Sequence, residues 1–240
     1  MICNATSLKK YFNESTKIFF LYGSEIVLIN DSADQINEFF IKKDFSERII
    51  LTKENFKDAQ KIIMQNAGGS LFDSKVIIEI IHNGSGTTLP KDILSVFDTQ
   101  NFNNIVIVVR STIKKINKNS AWVKLIDSKA LIIECNKLKT YEEKAWVKGR
   151  LNFMNKNDAE EYTERLTNMF SGNLVAQNNE INLLKLTYSK NAENQKINYD
   201  DAEFMPYELE DKIIELDTKN ALRIIPVSYT HLTLPTNSGV

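Results

Sequence analysis

Ile18-Phe19-Phe20-Leu21-Tyr22-Gly23-Ser24-Glu25 is the stretch on which the fold turns. Five apolar residues in unbroken succession predict a short strand covered on both faces, because a strand with one wet face alternates instead. Gly23 ends the run. From Glu25 the period changes: Ile26, Ile29, Ala33, Ile36 and Phe40 recur at helical spacing. Strand, tight turn, helix is the opening unit of an α/β layer.

The same alternation continues outward. Arg48-Ile49-Ile50-Leu51 is a second strand, and Phe56, Ala59 and Ile63 mark a helix stopped by Gly68-Gly69. Val76–Ile81 is a third strand, and 83–88 is a polar loop. A helix over about 90–98 turns Ile93, Leu94 and Phe97 inward. Ile105-Val106-Ile107-Val108-Val109 is the plainest strand, five β-branched residues in a row. A helix around Trp122 and Leu125 leads to the last strand, 130–134. Nearly pure apolar strands separated by helices predict a parallel five-stranded sheet with helices on both faces, filling residues 1–137.

Residues 140–188 show helical periods only, in three segments. The first carries Trp146, Val147 and Leu151, the second Ala159, Tyr162, Leu166 and Met169, and the third Leu174, Ile181, Leu184 and Tyr188. Asp158 is the expected cap of the second segment and Gly172 its stop. Residues 189–200 are polar and read as a linker, so 138–200 is a small three-helix domain with its linker. A last helical segment starts near Pro206 and runs to about Ile225, within a final region 201–225. The tail 226–240 breaks that helix without a cap and resembles a translated sequencing adapter; it is expected to be foreign to the protein.

Composition restricts the function. A 240-residue chain that is 42% hydrophobic and 25% charged is an ordinary globular protein, and its net charge of −1 lacks the footprint of a nucleic-acid-wrapping protein. Lys114, Lys115 and Lys118 read as a solvated loop. Cys3 and Cys135 are too few for a disulfide scaffold, and Cys135 closes an apolar strand as a buried thiol. No apolar stretch approaches the roughly 20 residues of a membrane span, and no signal pattern opens the chain. A cytoplasmic protein is expected.

Catalytic chemistry is hard to find. The turn after residues 18–22 is where a phosphate loop would sit, but such a loop needs several glycines and a Lys-Ser/Thr pair. Gly23-Ser24-Glu25 offers one glycine, no lysine and a carboxylate that repels a triphosphate. Ile80-Ile81-His82-Asn83 lacks the acidic pair that holds magnesium, and Glu79 within the strand cannot substitute for it without a partner. His82 is expected on an exposed loop, without catalytic role. No metal ligand cluster and no cofactor site are expected. Gly68-Gly69-Ser70-Leu71-Phe72-Asp73 stands out instead. At that boundary Leu71 and Phe72 are either core residues or an apolar plug held out for a partner's pocket.

Several segments together resemble the delta subunit of the bacterial DNA polymerase III clamp loader. Leu21-Tyr22-Gly23-Ser24-Glu25 is similar to the family's first-strand turn, a P-loop position without nucleotide residues. Ser70-Leu71-Phe72-Asp73-Ser74-Lys75 followed by Val-Ile-Ile-Glu-Ile is similar to its clamp-binding segment and next strand. Ala121-Trp122-Val123-Lys124-Leu125, Ile132-Ile133-Glu134-Cys135, Trp146, Gly172-Asn173-Leu174-Val175-Ala176 and Glu180-Ile181 follow in the family's order. Phe204-Met205-Pro206-Tyr207-Glu208-Leu209 and Asn220-Ala221-Leu222-Arg223-Ile224-Ile225 resemble the start of its third domain. Asn182-Leu183 departs from a usual Glu-Lys pair.

The resemblance implies an AAA+-like fold with a helical lid and a truncated collar domain, without intrinsic catalysis. It implies that Ser70, Leu71 and Phe72 bind the beta sliding clamp, while Gly23, Ser24 and Glu25 bind no nucleotide. It implies loader partners, gamma/tau and delta prime, through the C-terminal domain, and primer-template DNA only within the assembled loader. The competing expectations are a P-loop-type ATPase and a nucleic-acid-binding AAA+ module.

Overall fold

A computed structural model describes residues 1–67, 75–84, 86–98 and 102–193. The strands are β1 (Ile2–Asn4), β2 (Ile18–Tyr22), β3 (Phe45–Leu51), β4 (Lys75–His82), β5 (Ile105–Ser111) and β6 (Leu131–Glu134). The helices are α1 (Ile26–Ile41), α2 (Ala59–Ala67), α3 (Lys91–Leu94), α4 (Ala121–Lys129), α5 (Thr140–Arg150), α6 (Lys156–Met169) and α7 (Leu174–Glu193). Three 3-10 segments, Ala5–Tyr11, Lys53–Asp58 and Ser95–Asp98, fill the connections.

All the strands pair in parallel, in the order β1-β6-β2-β5-β4-β3. The sheet therefore has six strands, not five. The extra one is β1, whose Cys3 lies opposite Ile133 at the sheet edge. Three residues are too few to display a period, which is why it is silent in the sequence.

The apolar runs are continuous because each face of the sheet has its own core. Phe20, Ile78, Ile80, Ile107 and Val109 pack with Ile63 of α2, Ile93 of α3 and Ile126 of α4. Phe19, Leu21, Ile77, Val106 and Val108 pack on the opposite face with Ile29, Ala33, Ile36 and Phe40 of α1. Full burial of each such side chain contributes about 1.5–3 kcal/mol. Ile26 departs from the expected stripe: it lies 45% exposed in the first turn of α1.

The helical region joins the second of these cores. Leu174 is buried within it and Trp146 packs against it. Val147, Leu151, Ala159, Leu166, Ile181 and Leu184 are buried as their spacing predicts, whereas Met169 is exposed. The α6 cap is Asn155, not Asp158: the Asn155 side chain accepts the Asp158 amide at 3.0 Å. Two cap-type residues three positions apart make the sequence ambiguous there, and the backbone of Asn155 is the extended one that a cap requires. Gly172 adopts φ +70 in the α6–α7 connection. Met1–Tyr188 is one compact unit. The expected 189–200 linker starts too early, because α7 continues through Glu193; beyond Glu193 the rest of the linker, the 201–225 segment and the 226–240 tail fall outside the described residues.

Candidate functional site

The connection from β2 to α1 is three residues long, Gly23-Ser24-Glu25. Its shape is fixed from across the sheet. The Cys135 amide donates to the Tyr22 carbonyl at 2.7 Å, and the Glu25 amide donates to the Cys135 carbonyl at 2.9 Å. The Ser24 amide donates to Asn136 Oδ1 at 3.3 Å. Gly23 sits at φ +149, and a Cβ there would stand 2.0 Å from the Cys135 carbonyl oxygen. Only glycine fits that approach.

A phosphate cradle presents unoccupied amides to its anion. Here the Ser24 and Glu25 amides already have protein acceptors. Glu25 adds a partly buried carboxyl, held above its usual range by burial, opposed by Lys137 and reinforced by Glu143. Both amides are thus committed to acceptors near the end of β6, the Cys135 carbonyl and the Asn136 side chain.

At the end of β4, His82 is not on an exposed loop. It is the last strand residue, pairs in register with Ser111, and is buried. Its Nδ1 lies 2.9 Å from Ser111 Oγ, and burial lowers its pKa below the ordinary histidine value. The polar run from Asn83 onward masked that last strand residue. Glu79 has three partners. Its fully buried carboxylate lies 2.6 Å from Arg48 Nε, 2.9 Å from Arg110 Nη2 and 2.6 Å from Asn37 Nδ2 of α1. This cluster joins β3, β4, β5 and α1 beneath the helix, and no metal-type group accompanies it among the described residues.

Cys3 and Cys135 are free and buried; burial pushes the thiols up to about 11 and about 12. Buried thiols raised in this way hold their protons more tightly than an exposed cysteine. Lys114, Lys115 and Lys118 lie on an exposed loop, as their composition predicts. Among the described residues, no helix is long and apolar enough to cross a membrane.

Ser70, Leu71 and Phe72 lie outside the described residues, within 68–74. Both flanks of that segment are described. Upstream, α2 ends at Ala67; downstream, β4 begins at Lys75. In a parallel sheet the start of β4 lies at the opposite end of the strands from the Gly23 turn, which follows the C-terminal end of β2.

The helical region is fastened to α1 by Asp31. Its carboxylate pairs with Arg150 and accepts from Trp146 Nε1 at 3.3 Å. The Arg150 guanidinium lies 4.5 Å over the Trp146 ring and also donates to Asn178 of α7 at 2.7 Å. Behind it, buried Glu143 accepts the Gly172 amide at 2.8 Å and the Gln177 side-chain amide. These anchors lay beyond sequence reasoning, because nothing in a helical period shows which polar residue meets the neighbouring layer.

The family described as "DNA polymerase III, delta subunit" matches residues 19–136. Among curated proteins, the DNA polymerase III subunit delta of Escherichia coli K12 is 21% identical over 226 residues, covering 91% of this chain and 66% of that protein. This chain thus spans just under two thirds of that relative's length. Among solved structures, the Bacillus subtilis DNA clamp loader delta protein aligns with a TM-score of 0.55 at 17% identity, over 95% of this chain and 71% of that one. At that identity the likeness speaks for a shared fold.

Proposed function

We propose, from the membership of residues 19–136 in the DNA polymerase III delta-subunit family, that this chain is the clamp-binding, non-catalytic subunit of a replication clamp loader. The family match carries the reading. The spent amides and acidic mouth of the Gly23-Ser24-Glu25 turn support its second half, a AAA+-like body that does not hydrolyse ATP. Residues 138–200 act as the lid with its linker, and 201–225 as the start of the collar domain. Partner contacts with gamma/tau and delta prime run through that collar. DNA is met only inside the assembled loader, in keeping with a net charge of −1.

Ser70, Leu71 and Phe72 bind the beta sliding clamp. Leu71 and Phe72 leave water for a pocket on one clamp protomer, with Ser70 beside them. Burying two such side chains supplies about 1.5–3 kcal/mol each, enough for a hot spot. Tight binding alone does not open a ring. The subunit must bind a clamp conformer with a relaxed interface better than the closed one, and that difference is the work it can do. ATP acts elsewhere in the loader, on subunits that expose or cover this segment.

The test is the double variant L71A/F72A. Its circular dichroism and melting should match the parent chain, while its affinity for purified clamp falls at least tenfold, about 1.4 kcal/mol. Unchanged affinity, or loss of the fold, defeats the clamp-binding role. A parallel titration with magnesium and ATP should show no saturable binding. Saturation near Gly23 would favour the ATPase reading.

A further inference from the structure

We infer that the Asp31–Arg150 contact is a latch. Closed, it holds α5, α6 and α7 on α1; open, it lets them rock as one piece into a cleft between α1 and α5. The latch is independent of the clamp-binding role proposed above.

Three helices meet at one guanidinium. Trp146 and Arg150 are one turn apart on the same face of α5. Both reach the Asp31 carboxylate of α1, Trp146 through Nε1 at 3.3 Å. Arg150 also lies 4.5 Å over the Trp146 ring and donates to Asn178 of α7 at 2.7 Å. The helices that would move together are tied to one another. Lys144 pairs with Glu164 at 2.6 Å and Lys148 with Glu160 at 2.9 Å, which joins α5 to α6. Buried Glu143 joins α5 to the Gly172 turn and to Gln177 of α7.

Beside the latch the interface with α1 is open. A cleft of about 400 Å³ runs between Ala5 and Thr6 on one side, Leu28 and Gln35 of α1, and Ala145 and Gly149 of α5. A Cβ at Gly149 would meet nothing within 4 Å. Close-packed side chains have one arrangement, whereas polar contacts beside unfilled space can break and re-form without opening a core. Trp146 adds a partly buried apolar contact at the latch itself. The other apolar attachments are Leu138, just ahead of α5, and Leu174, the first residue of α7, both packed with the α1-side core. They form the pivot. Arg150 is at the far end of α5, roughly 15 Å along the helix from its start, so a small rotation about the pivot moves it furthest.

The experiment measures distances between spin labels placed on the full chain by K124C on α4 and E161C on α6. Both positions are exposed, and the native thiols are buried. The parent should give one narrow distance distribution. R150M should widen it or add a second peak several ångströms away, with circular dichroism unchanged, and D31N should do the same. G149L fills the cleft: it should leave the parent distribution as it is and narrow that of R150M back towards it. Unchanged distributions in R150M and D31N overturn the inference, as does a parent distribution that is already broad. So does an R150M/G149L distribution as broad as that of R150M alone. Loss of circular dichroism in both R150M and D31N would make the contact part of the fold instead of a latch, and would overturn it too. No clamp enters the measurement, so its outcome is separate from that of L71A/F72A.

Discussion

Gly23→Ala should destabilise the protein by on the order of 3–5 kcal/mol, combining backbone strain with a forced approach in a packed region. Two independent obstacles add. At φ +149 an L-residue is strained before any neighbour is considered, and the new Cβ would sit 2.0 Å from the Cys135 oxygen and 2.3 Å from its carbonyl carbon. Those are backbone atoms, so no rotamer change relieves the contact. Relief requires the β2–α1 turn and the segment after β6 to separate. That breaks the Glu25-to-Cys135 hydrogen bond, and the Tyr22–Cys135 link beside it is strained. For a unit of this size the melting temperature should fall by about 10 °C or more. A drop of only a degree or two would show that the turn relaxes cheaply, and the claim that it is locked would fall. The comparison with Gly149→Ala is instructive: a Cβ there meets nothing within 4 Å, so that variant should melt with the parent or slightly above it.

What the sequence discloses depends on whether a signal is local. β2 and β5 are legible because both faces of each are covered, and burial on both faces writes an unbroken apolar run. The lack of a Lys-Ser/Thr pair after β2 is visible in the sequence because a phosphate loop needs those residues in one short stretch. The locked turn is only half legible: Gly23 announces a special conformation, but its reason is Cys135, more than a hundred positions away. β1 is too short to carry a period. The Leu71-Phe72 pair is legible as an anomaly, and the sequence leaves open whether it faces inward or outward.

Glu79 shows the same limit most sharply. Within Val76–Ile81 it looks like an isolated charge in a buried strand. Register supplies the missing partners. Arg48 lies opposite Ile77 and Arg110 opposite Ile81, so the two arginines flank Glu79 diagonally from its two neighbouring strands, on the same face. Only a strand order that places β4 between β3 and β5 makes this visible.

The consequence is the second large effect. Glu79→Ala should cost about 3–5 kcal/mol, the usual penalty for removing one partner of a buried ion pair and leaving the other behind. The two arginines will not share that loss equally. Arg48 is about half exposed and can turn its guanidinium into water. Arg110 is only 15% exposed, its Nε is buried without a hydrogen bond, and its outer contact is Asn30 at 3.3 Å. The stranded charge is therefore mainly that of Arg110. Asn37 is left worse off too, since its Oδ1 is already buried without a partner and its amide would lose Glu79. Adding Arg110→Met to Glu79→Ala should accordingly restore part of the stability, because an apolar side chain of similar length needs no counter-charge there. Urea unfolding of the parent, both single variants and the double variant measures the cycle. If Arg110→Met worsens Glu79→Ala by as much as it does the parent, the two side chains are not coupled, and the cluster is a set of neighbours instead of the joint that holds α1 to the sheet.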